Sequence, residues 1–219
     1  HQCVWFSIEA DWEAPSFKIV GQGMPPMVDA GFDFYAPQSF EDAVGRRLMI
    51  GWSGCPDATT ESPTVARGWQ CALTVPRELS MRGGKLCQWP AHEIERMRGD
   101  CVRAVGGETV EEPGRLFDVV VSCEGAKMVE LEIRKGVFVR YADGMLTLDM
   151  GDEGYGRDRR SIELGELRDL RVLSDTTMVE IFANGGEAAL TSRTYSPAVP
   201  AMGLHAEGAA SMNFYRLVH

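Results

Sequence analysis

The sequence predicts an all-β protein, and three observations support this. Apolar residues alternate with charged or polar ones in many short segments, for example 115–122 and 128–134, as is typical of half-buried antiparallel strands. Glycine-containing pairs such as Asp143-Gly144 separate these segments and supply the positive φ angles of tight hairpins. Only one short segment, 91–98, is predicted to be helical.

Composition limits the class of protein. The 219 residues carry a net charge of −10, and 44% of them are hydrophobic, as in ordinary globular proteins. An acidic surface repels nucleic acid and anionic lipid, and no stretch approaches the roughly 20 apolar residues of a membrane helix. We therefore expect a cytoplasmic protein with neither a nucleic-acid nor a membrane partner.

The cysteines indicate a reducing compartment. Six of them stand at positions 3, 55, 71, 87, 101 and 123. No two are spaced as Cys-x-x-Cys, which argues against a zinc site. A chain of this size needs no disulfide staples. Free, buried thiols are therefore predicted, and neither a metal nor a cofactor is expected.

The chain is predicted to have two β parts joined by a short connector. Residues 1–90 are rich in aromatic side chains and contain a long loop, 53–68, of the kind that carries sites on rigid β scaffolds. Residues 91–99 form the connector helix, which follows a proline and ends at a glycine. Residues 100–219, with many short strands and turns, predict a β-sandwich.

Five segments, in order along the chain, together resemble the signatures of glycoside hydrolase family 32. This family includes invertases, fructanases and bacterial sucrose-6-phosphate hydrolases, and the loop 53–68 with its flanks most resembles the last branch. The segments are Asp29-Ala-Gly-Phe-Asp-Phe-Tyr-Ala-Pro-Gln38, Gly45-Arg-Arg-Leu-Met-Ile-Gly-Trp52, Gly68-Trp69 with Ala72-Leu-Thr-Val-Pro-Arg-Glu-Leu79, Gly84-Lys-Leu-Cys-Gln-Trp-Pro90, and Val179-Glu-Ile-Phe-Ala-Asn-Gly-Gly-Glu187 with Thr191-Ser-Arg193.

The resemblance implies a fold and a reaction. The family fold is a five-bladed β-propeller followed by a β-sandwich, so residues 1–90 would be the end of the fourth blade and the whole fifth blade. Residues 100–219 would be the sandwich. The implied reaction is hydrolysis of a terminal β-fructosyl bond with retention of configuration, and the implied partner is a β-fructoside sugar.

The resemblance also predicts what this sequence lacks. Retaining chemistry needs two carboxyl groups roughly 5–5.5 Å apart, which the family supplies from Asn-Asp-Pro-Asn, Arg-Asp-Pro and Glu-Cys segments. None of these occurs here. Cys55-Pro56-Asp57 is interpreted as a blade loop, and Cys123-Glu124 as a turn. No catalytic residue is therefore assigned, and the catalytic half is expected upstream of His1 or on a second chain.

Three residues are candidates for sugar contacts. Tyr35 and Trp52 could pack against the C–H face of a furanose, and the phenol could also bind its hydroxyls; the alternative is that both are core aromatics. Asp33 alternates with two phenylalanines on a strand, so its carboxylate could face the propeller channel. A salt bridge on the strand face is the alternative for Asp33.

The remaining charged residues are expected to be structural. Asp29 is predicted to cap a turn, Arg77 to pair with Glu78, and His92 to be structural. Solvated positions are expected for five arginines: Arg46, Arg47, Arg157, Arg159 and Arg160.

Three functions stay open on the sequence alone. The chain could be part of a working fructosidase, a non-catalytic carbohydrate-binding or interaction module, or an inactive remnant of a truncated gene. A catalytic half encoded upstream would favour the first. An incomplete propeller also predicts an uncovered apolar flank containing Val4, Phe6, Phe34 or Leu48.

Overall fold

The computed structural model describes residues 2–21, 23–56, 61–154 and 156–218. These ranges contain short antiparallel strands and four short 3-10 helices, so the all-β prediction is confirmed. The helices are Val65–Arg67, His92–Met97, Gly151–Gly154 and Asn184–Gly186. The strands are β1 (Ser7–Asp11), β2 (Ser16–Val20), β3 (Tyr35–Glu41), β4 (Arg47–Ser53), β5 (Ala72–Leu73), β6 (Arg77–Arg82), β7 (Lys85–Pro90), β8 (Arg98–Val105), β9 (Thr109–Glu111), β10 (Phe117–Ser122), β11 (Met128–Arg134), β12 (Val137–Ala142), β13 (Met145–Asp149), β14 (Arg159–Glu163), β15 (Asp169–Ser174), β16 (Met178–Ala183), β17 (Ala188–Arg193), β18 (Ala201–Glu207) and β19 (Ser211–Leu217).

The first part of the chain forms a hairpin and one small sheet. Strands β1 and β2 pair with each other, and the sheet has the order β3-β4-β6-β7 with β5 paired to β4. Phe34 packs between this sheet and the preceding chain together with Val28 and Met49. A Cβ on Gly51 would lie 2.3 Å from the Phe34 ring, so only glycine allows this close packing. We call this sheet the blade sheet.

Strands β8 to β19 form a sandwich of two six-stranded sheets. One sheet has the order β17-β16-β15-β10-β19-β8, and the other has the order β14-β13-β12-β11-β18-β9. Alternate residues of both sheets point inward and are fully buried, as Leu131, Leu148 and Val172 are. The Asp143-Gly144 turn between β12 and β13 has positive φ at both residues, 51° and 76°, as the sequence predicts.

The blade sheet packs on the outer face of the β17-β16-β15 edge of the sandwich. Trp89 of the blade sheet contacts the ring of Phe182 edge to face, with centroids 6.1 Å apart. Gly31 lies against β17, since a Cβ there would be 2.1 Å from the carbonyl oxygen of Thr191. The two parts are therefore in close contact over a partly apolar surface.

Arg77, at the start of β6, lies in this contact and has no exposed surface. Its Nη1 donates to Oδ2 of Asp29 at 2.9 Å, and its Nη2 donates to Oε2 of Glu180 at 2.7 Å. Burial opposes the charge of the guanidinium, but the carboxylates of Glu180 and Asp29 outweigh it and raise the pKa of Arg77 above its usual value. An ion network thus joins the blade sheet to the sandwich.

The N-terminal hairpin has an uncovered apolar face. Ile8 and Ile19 are paired across it, and both are more than 45% exposed. Val4 and Phe6 are exposed as predicted for the flank, whereas Phe34 and Leu48 are buried within the blade sheet. Of the four residues predicted for the flank, the two exposed ones therefore lie in the segment directly before β1.

Other expectations can be compared with the described residues. All six cysteines are free, but only Cys87 and Cys123 are buried, and Cys101 is exposed. Within the described ranges, no helix has the length and apolarity required to cross a membrane. Asp57, the last residue of the Cys55-Pro56-Asp57 segment, lies outside the described residues.

Candidate functional site

Tyr35 and Trp52 form an aromatic pair on the blade sheet. The two residues face each other in the register of β3 and β4, which places their side chains on the same face of the sheet. Their ring centroids lie 6.2 Å apart with an interplanar angle of 70°, an edge-to-face arrangement. Both residues are half-buried, so each ring keeps part of its surface accessible.

A bulge next to Tyr35 produces this arrangement. The β3–β4 register shifts between Tyr35 and Gln38, and Ala36 has a positive φ of 44°. An extra residue in one strand bends it and re-aims the neighbouring side chains. Pro37 lies inside the bulge and donates no N–H, so the ladder is interrupted just where the aromatic pair lies.

Asp33 lies beside this pair, but its carboxylate contacts the sandwich. It is buried, and its Oδ2 accepts hydrogen bonds from Nη1 of Arg157 at 2.5 Å and from the backbone N–H of Arg193 at 2.7 Å. Arg157 is therefore paired with a buried carboxylate, and the expectation that it is simply solvated is wrong. The predicted sugar contact of Asp33 would have to coexist with this ion pair.

Asp33 also lines a small pocket between the loop after β4 and the sandwich. The pocket has a volume of about 50 Å³. Its wall at Gly54 touches the Trp52 ring, because a Cβ on Gly54 would lie 2.6 Å from atoms of that ring. The aromatic pair and the pocket are thus neighbours. The residues that line the pocket are Asp33, Gly54, Cys55, Glu61, Ser62, Pro63, Gln70, Cys71, Arg157, Arg193 and Tyr195.

Sequence reasoning did not single out Arg193 as a functional residue. Its side chain is buried, with 3% of the residue exposed, and its Nη2 donates to Oγ1 of Thr177 at 2.9 Å. Its Nε and Nη1 have no hydrogen-bond partner among the described residues. The guanidinium carbon lies 5.6 Å from the ring centroids of both Trp69 and Tyr195, within the range of a cation–π contact.

Several structural expectations for charged residues need correction. Arg77 pairs with Asp29 and Glu180, not with Glu78. Asp29 does accept the turn hydrogen bond from the N–H of Gly31, at 2.9 Å, in addition to its bond with Arg77. These residues hold the two parts of the chain together, and they do not line the pocket that contains Asp33.

Arg46 is also not a simple solvated charge. Its guanidinium binds Asp42 and Glu93, each at 2.7 Å, and its Nη1 lies 2.7 Å from Nδ1 of His92. The hydrogen bond from Arg46 lowers the pKa of Glu93 to about 2. Arg47 remains exposed, next to Glu41, as expected.

The buried carboxylates are not arranged for glycoside hydrolysis. The described chain has four that are buried, and an arginine side chain binds each of them. A nucleophile or proton donor must instead reach the substrate at the scissile bond. No group of three or more possible metal ligands occurs among the described residues. The described residues therefore contain no recognisable carboxylate pair for bond cleavage. The four carboxylates are Asp29, Asp33, Asp118 and Glu180.

Comparison with family models identifies two matches. Residues 2–90 match the model described as "Glycosyl hydrolases family 32 N-terminal domain", and residues 139–217 match "Glycosyl hydrolases family 32 C terminal". Together the two matches span more than half of the chain.

The curated relatives of the chain include sucrose-6-phosphate hydrolases and a raffinose invertase. The chain is 34% identical over 208 residues to sucrose-6-phosphate hydrolase from Salmonella typhimurium, which covers 90% of this chain and 41% of the relative. It is 34% identical over 209 residues to raffinose invertase from Escherichia coli, covering 87% of this chain and 42% of the relative. The chain therefore spans less than half the length of these relatives.

Comparison with solved structures shows a shared fold. Sucrose-6-phosphate hydrolase from Lactobacillus gasseri superposes with a TM-score of 0.81 at 22% identity, covering 95% of this chain and 46% of that structure. A β-fructofuranosidase from Bombyx mori superposes with a TM-score of 0.81 at 22% identity, covering all of this chain and 47% of that structure. The arrangement of the blade sheet and the sandwich is thus similar to that in larger, related folds.

Proposed function

The chain belongs to glycoside hydrolase family 32, and on that premise we propose that it is the C-terminal portion of a retaining β-fructosidase. Its substrates are sucrose, sucrose-6-phosphate or related β-fructosides. The activities named for its relatives, sucrose-6-phosphate hydrolase and raffinose invertase, support this substrate class. The matches to both the N-terminal and the C-terminal family models support the position within the enzyme.

In this proposal, residues 1–90 are the end of the catalytic propeller, residues 91–99 are a connector, and residues 100–219 are the sandwich domain. The blade sheet, which ends at Pro90, and the 3-10 helix His92–Met97 support this division. The exposed apolar face of the N-terminal hairpin supports an N-terminal propeller half as the partner, on the same polypeptide or on a second chain. The acidic charge and the six free cysteines support a cytoplasmic location.

The aromatic pair of Tyr35 and Trp52 is the observation that carries the proposed sugar contact. A half-buried, edge-to-face pair offers one ring face for the C–H groups of a sugar and one phenolic oxygen for its hydroxyls. The sugar contact predicted for Asp33 stays a prediction, because its Oδ2 is bound by Arg157 and by the backbone of Arg193. In this proposal the catalytic carboxylates come from the N-terminal half, since their motifs are absent from these 219 residues.

A second candidate is a non-catalytic carbohydrate-binding or interaction module. The absence of a recognisable catalytic carboxylate pair from the described residues favours it. Binding of sucrose to the 219 residues, with no turnover after an N-terminal propeller half is supplied, would support this module. If the 219 residues bind no sucrose and still give no turnover once the N-terminal half is supplied, the chain is an inactive remnant.

The test measures reducing-sugar release from sucrose and from sucrose-6-phosphate at matched protein concentrations. The 219 residues alone should give no turnover, and a chain that also carries the N-terminal propeller half should hydrolyse a β-fructoside. In that longer chain, Tyr35→Ala should lower activity by at least tenfold. Tyr215→Ala, at a half-buried tyrosine of the sandwich, is the matched control and should keep it. Robust turnover by the 219 residues alone would disprove the assignment of the catalytic groups to the other half.

A further inference from the structure

The pocket that contains Asp33 has a feature that the proposed hydrolysis does not use. Arg193, on the outer face of β17, reaches into the space between the sandwich and the loop before β5. Its Nε and Nη1 have no hydrogen-bond partner among the described residues, although only 3% of the residue is exposed. Nε carries one N–H and Nη1 carries two, so three donors lack an acceptor.

A buried guanidinium whose N–H donors lack acceptors lowers the stability of the fold. Leaving a buried donor unsatisfied costs its desolvation free energy, and this cost is higher when the group is charged. The neighbouring rings of Trp69 and Tyr195 stabilise the positive charge, but an aromatic face does not replace an acceptor for each N–H. An anion in the pocket would provide both the missing acceptors and the missing negative charge.

Among the described residues that line the pocket, no carboxylate binds the guanidinium of Arg193. Arg157 and Asp33 form an ion pair at 2.5 Å, so these two charges offset each other. Asp33 also accepts the backbone N–H of Arg193, at 2.7 Å, rather than its guanidinium. Glu61 is the other acidic residue among the described residues of the lining and lies at the exposed rim of the pocket. The buried end of the pocket therefore carries a positive charge.

We propose that this pocket binds a tetrahedral oxyanion, a phosphate or the phosphoryl group of a phosphorylated sugar, through the guanidinium of Arg193. Arginine is well suited to phosphate because it presents several charged donors at fixed positions. Ser62 and Tyr195, whose hydroxyl oxygens lie 2.5 Å apart at the pocket wall, can adjust their hydrogen bonds toward such an anion. For a phosphorylated sugar the inference rests on the proposed function, since sucrose-6-phosphate is one of its proposed substrates; for free phosphate it adds a separate binding site.

The size of the pocket sets the class of ligand. A space of about 50 Å³ holds a few water-sized groups, whereas pockets for larger small molecules measure roughly 300–1,000 Å³. A single oxyanion fits, and a sugar ring does not. A phosphorylated sugar would keep its ring outside the pocket, on the side of Gly54 where the Trp52 ring lies.

The test is isothermal calorimetry of the 219-residue chain with inorganic phosphate, at constant ionic strength set by sodium chloride. Phosphate should bind to the wild-type chain, and Arg193→Gln should weaken it by at least tenfold. The matched control is Arg134→Gln, because Arg134 is also buried and has two unpartnered guanidinium nitrogens but does not line this pocket. Equal phosphate affinity in wild type and Arg193→Gln, or no binding to wild type, would overturn the proposal.

A second variant keeps the test valid if Arg193→Gln does not fold. Gln70 is exposed and lines the pocket, so Gln70→Trp should fill the space, preserve the fold and weaken phosphate binding. Gln38→Trp, at an exposed position of β3 outside the pocket lining, should not weaken it. Unchanged affinity in Gln70→Trp would place any bound phosphate elsewhere and overturn the proposal. Phosphate binding that appears only in Glu61→Gln would show that Glu61 is the counter-ion of Arg193. This result would also overturn the proposal.

Two further titrations distinguish the sources of the anion. Glucose-6-phosphate that binds at least tenfold more tightly than inorganic phosphate, with both dependent on Arg193, indicates the phosphoryl group of a sugar. Equal or weaker binding of glucose-6-phosphate indicates free phosphate. Glucose alone should not compete with phosphate. Because each measurement reports binding, a failure here is distinct from a failure of the turnover test for the proposed function.

Discussion

Nη2 of Arg77 lies 2.7 Å from Oε2 of Glu180, and both side chains are shielded from solvent at the boundary between the blade sheet and the sandwich. Arg77 also donates to Asp29 and to Oε1 of Gln88, the latter at 2.6 Å. Burial raises the pKa of the Glu180 carboxyl, while Arg77 opposes that shift. One arginine thus serves two buried carboxylates, and its loss would leave both unpaired.

Arg77→Met should therefore destabilise the chain strongly. Removing one member of a buried ion pair commonly costs about 3–5 kcal/mol, because the partner charge stays buried without compensation. The measurement is the free energy of unfolding in urea. Arg47→Met is the matched control, since Arg47 and its partner Glu41 are about half exposed, and such pairs contribute roughly 0–1 kcal/mol.

The same network predicts a rescue. Adding Glu180→Gln and Asp29→Asn to Arg77→Met removes the unpaired charges and should restore part of the lost stability. A triple variant as unstable as Arg77→Met would show that lost packing, and not unpaired charge, dominates. The rings of Phe34 and Phe182 lie 4.8 Å and 5.0 Å from the Arg77 guanidinium carbon and would form that packing.

Gly31→Ala should loosen the contact between the blade sheet and the sandwich. The added Cβ would lie 2.1 Å from the carbonyl oxygen of Thr191, a distance that forces the backbone to move. Overpacking of this kind typically costs about 1–3 kcal/mol. Gly106→Ala is the matched control, because no atom lies within 4 Å of the corresponding Cβ. Equal unfolding midpoints for the two variants would contradict the close approach of Gly31 to Thr191 of β17.

Strands of the sandwich that pack on one face only could be predicted from the sequence, because apolar and polar residues alternate along them. The predicted strand at 128–134 forms β11 with the same bounds. The strands of residues 1–90 were harder to predict. Residues 70–76 hold only the two-residue β5, and β6 (Arg77–Arg82) follows it. Charged Arg77 is buried there, so period-two hydrophobicity does not mark the strand.

The candidate site was only partly predictable. Tyr35 and Trp52 stand in recognisable segments, and the register of β3 and β4 brings their rings together. The pairing of Asp33 with Arg157 joins residues 124 positions apart, which local patterns do not reveal. Arg193 lies two residues after Thr191 on β17, so the two side chains share a face that the strand period predicts. The absence of an acceptor for Nε and Nη1 of Arg193 among the described residues is visible only in the structure.

The cysteines should differ sharply in reactivity. Burial raises the pKa of Cys123 to about 12, with a further contribution from Asp169. Since the thiolate is the reactive form, Cys123 should remain unlabelled in the native chain near neutral pH. Cys101 is exposed on β8, so Cys101→Ser should remove the thiol that a chromogenic disulfide labels fastest. Loss of native-state labelling in Cys123→Ser would contradict the buried position of that thiol.

Acid should weaken the contact between the β3–β4 hairpin and the segment after the blade sheet. Glu93 bonds to Arg46 at 2.7 Å, and this hydrogen bond lowers the pKa of Glu93 from 4.5 to about 2. A carboxyl with a lowered folded-state pKa stabilises the fold above its unfolded pKa and loses that effect as the pH falls through the folded value. The stabilising effect is therefore present above pH 4.5 and disappears progressively toward pH 2.

The measurement compares the unfolding free energies of wild type and Glu93→Gln at pH 5, 4 and 3. Wild type should be more stable at pH 5, and its advantage should shrink steadily toward pH 3, because protonated glutamate resembles glutamine. Asp42, which also binds Arg46, is present in both proteins and contributes similarly to each. Glu124→Gln, at an exposed turn, should show no such trend. The difference in unfolding free energy between wild type and Glu93→Gln could instead stay constant from pH 5 to pH 3. That result would mean that the Arg46–Glu93 pair does not stabilise the fold through its charge.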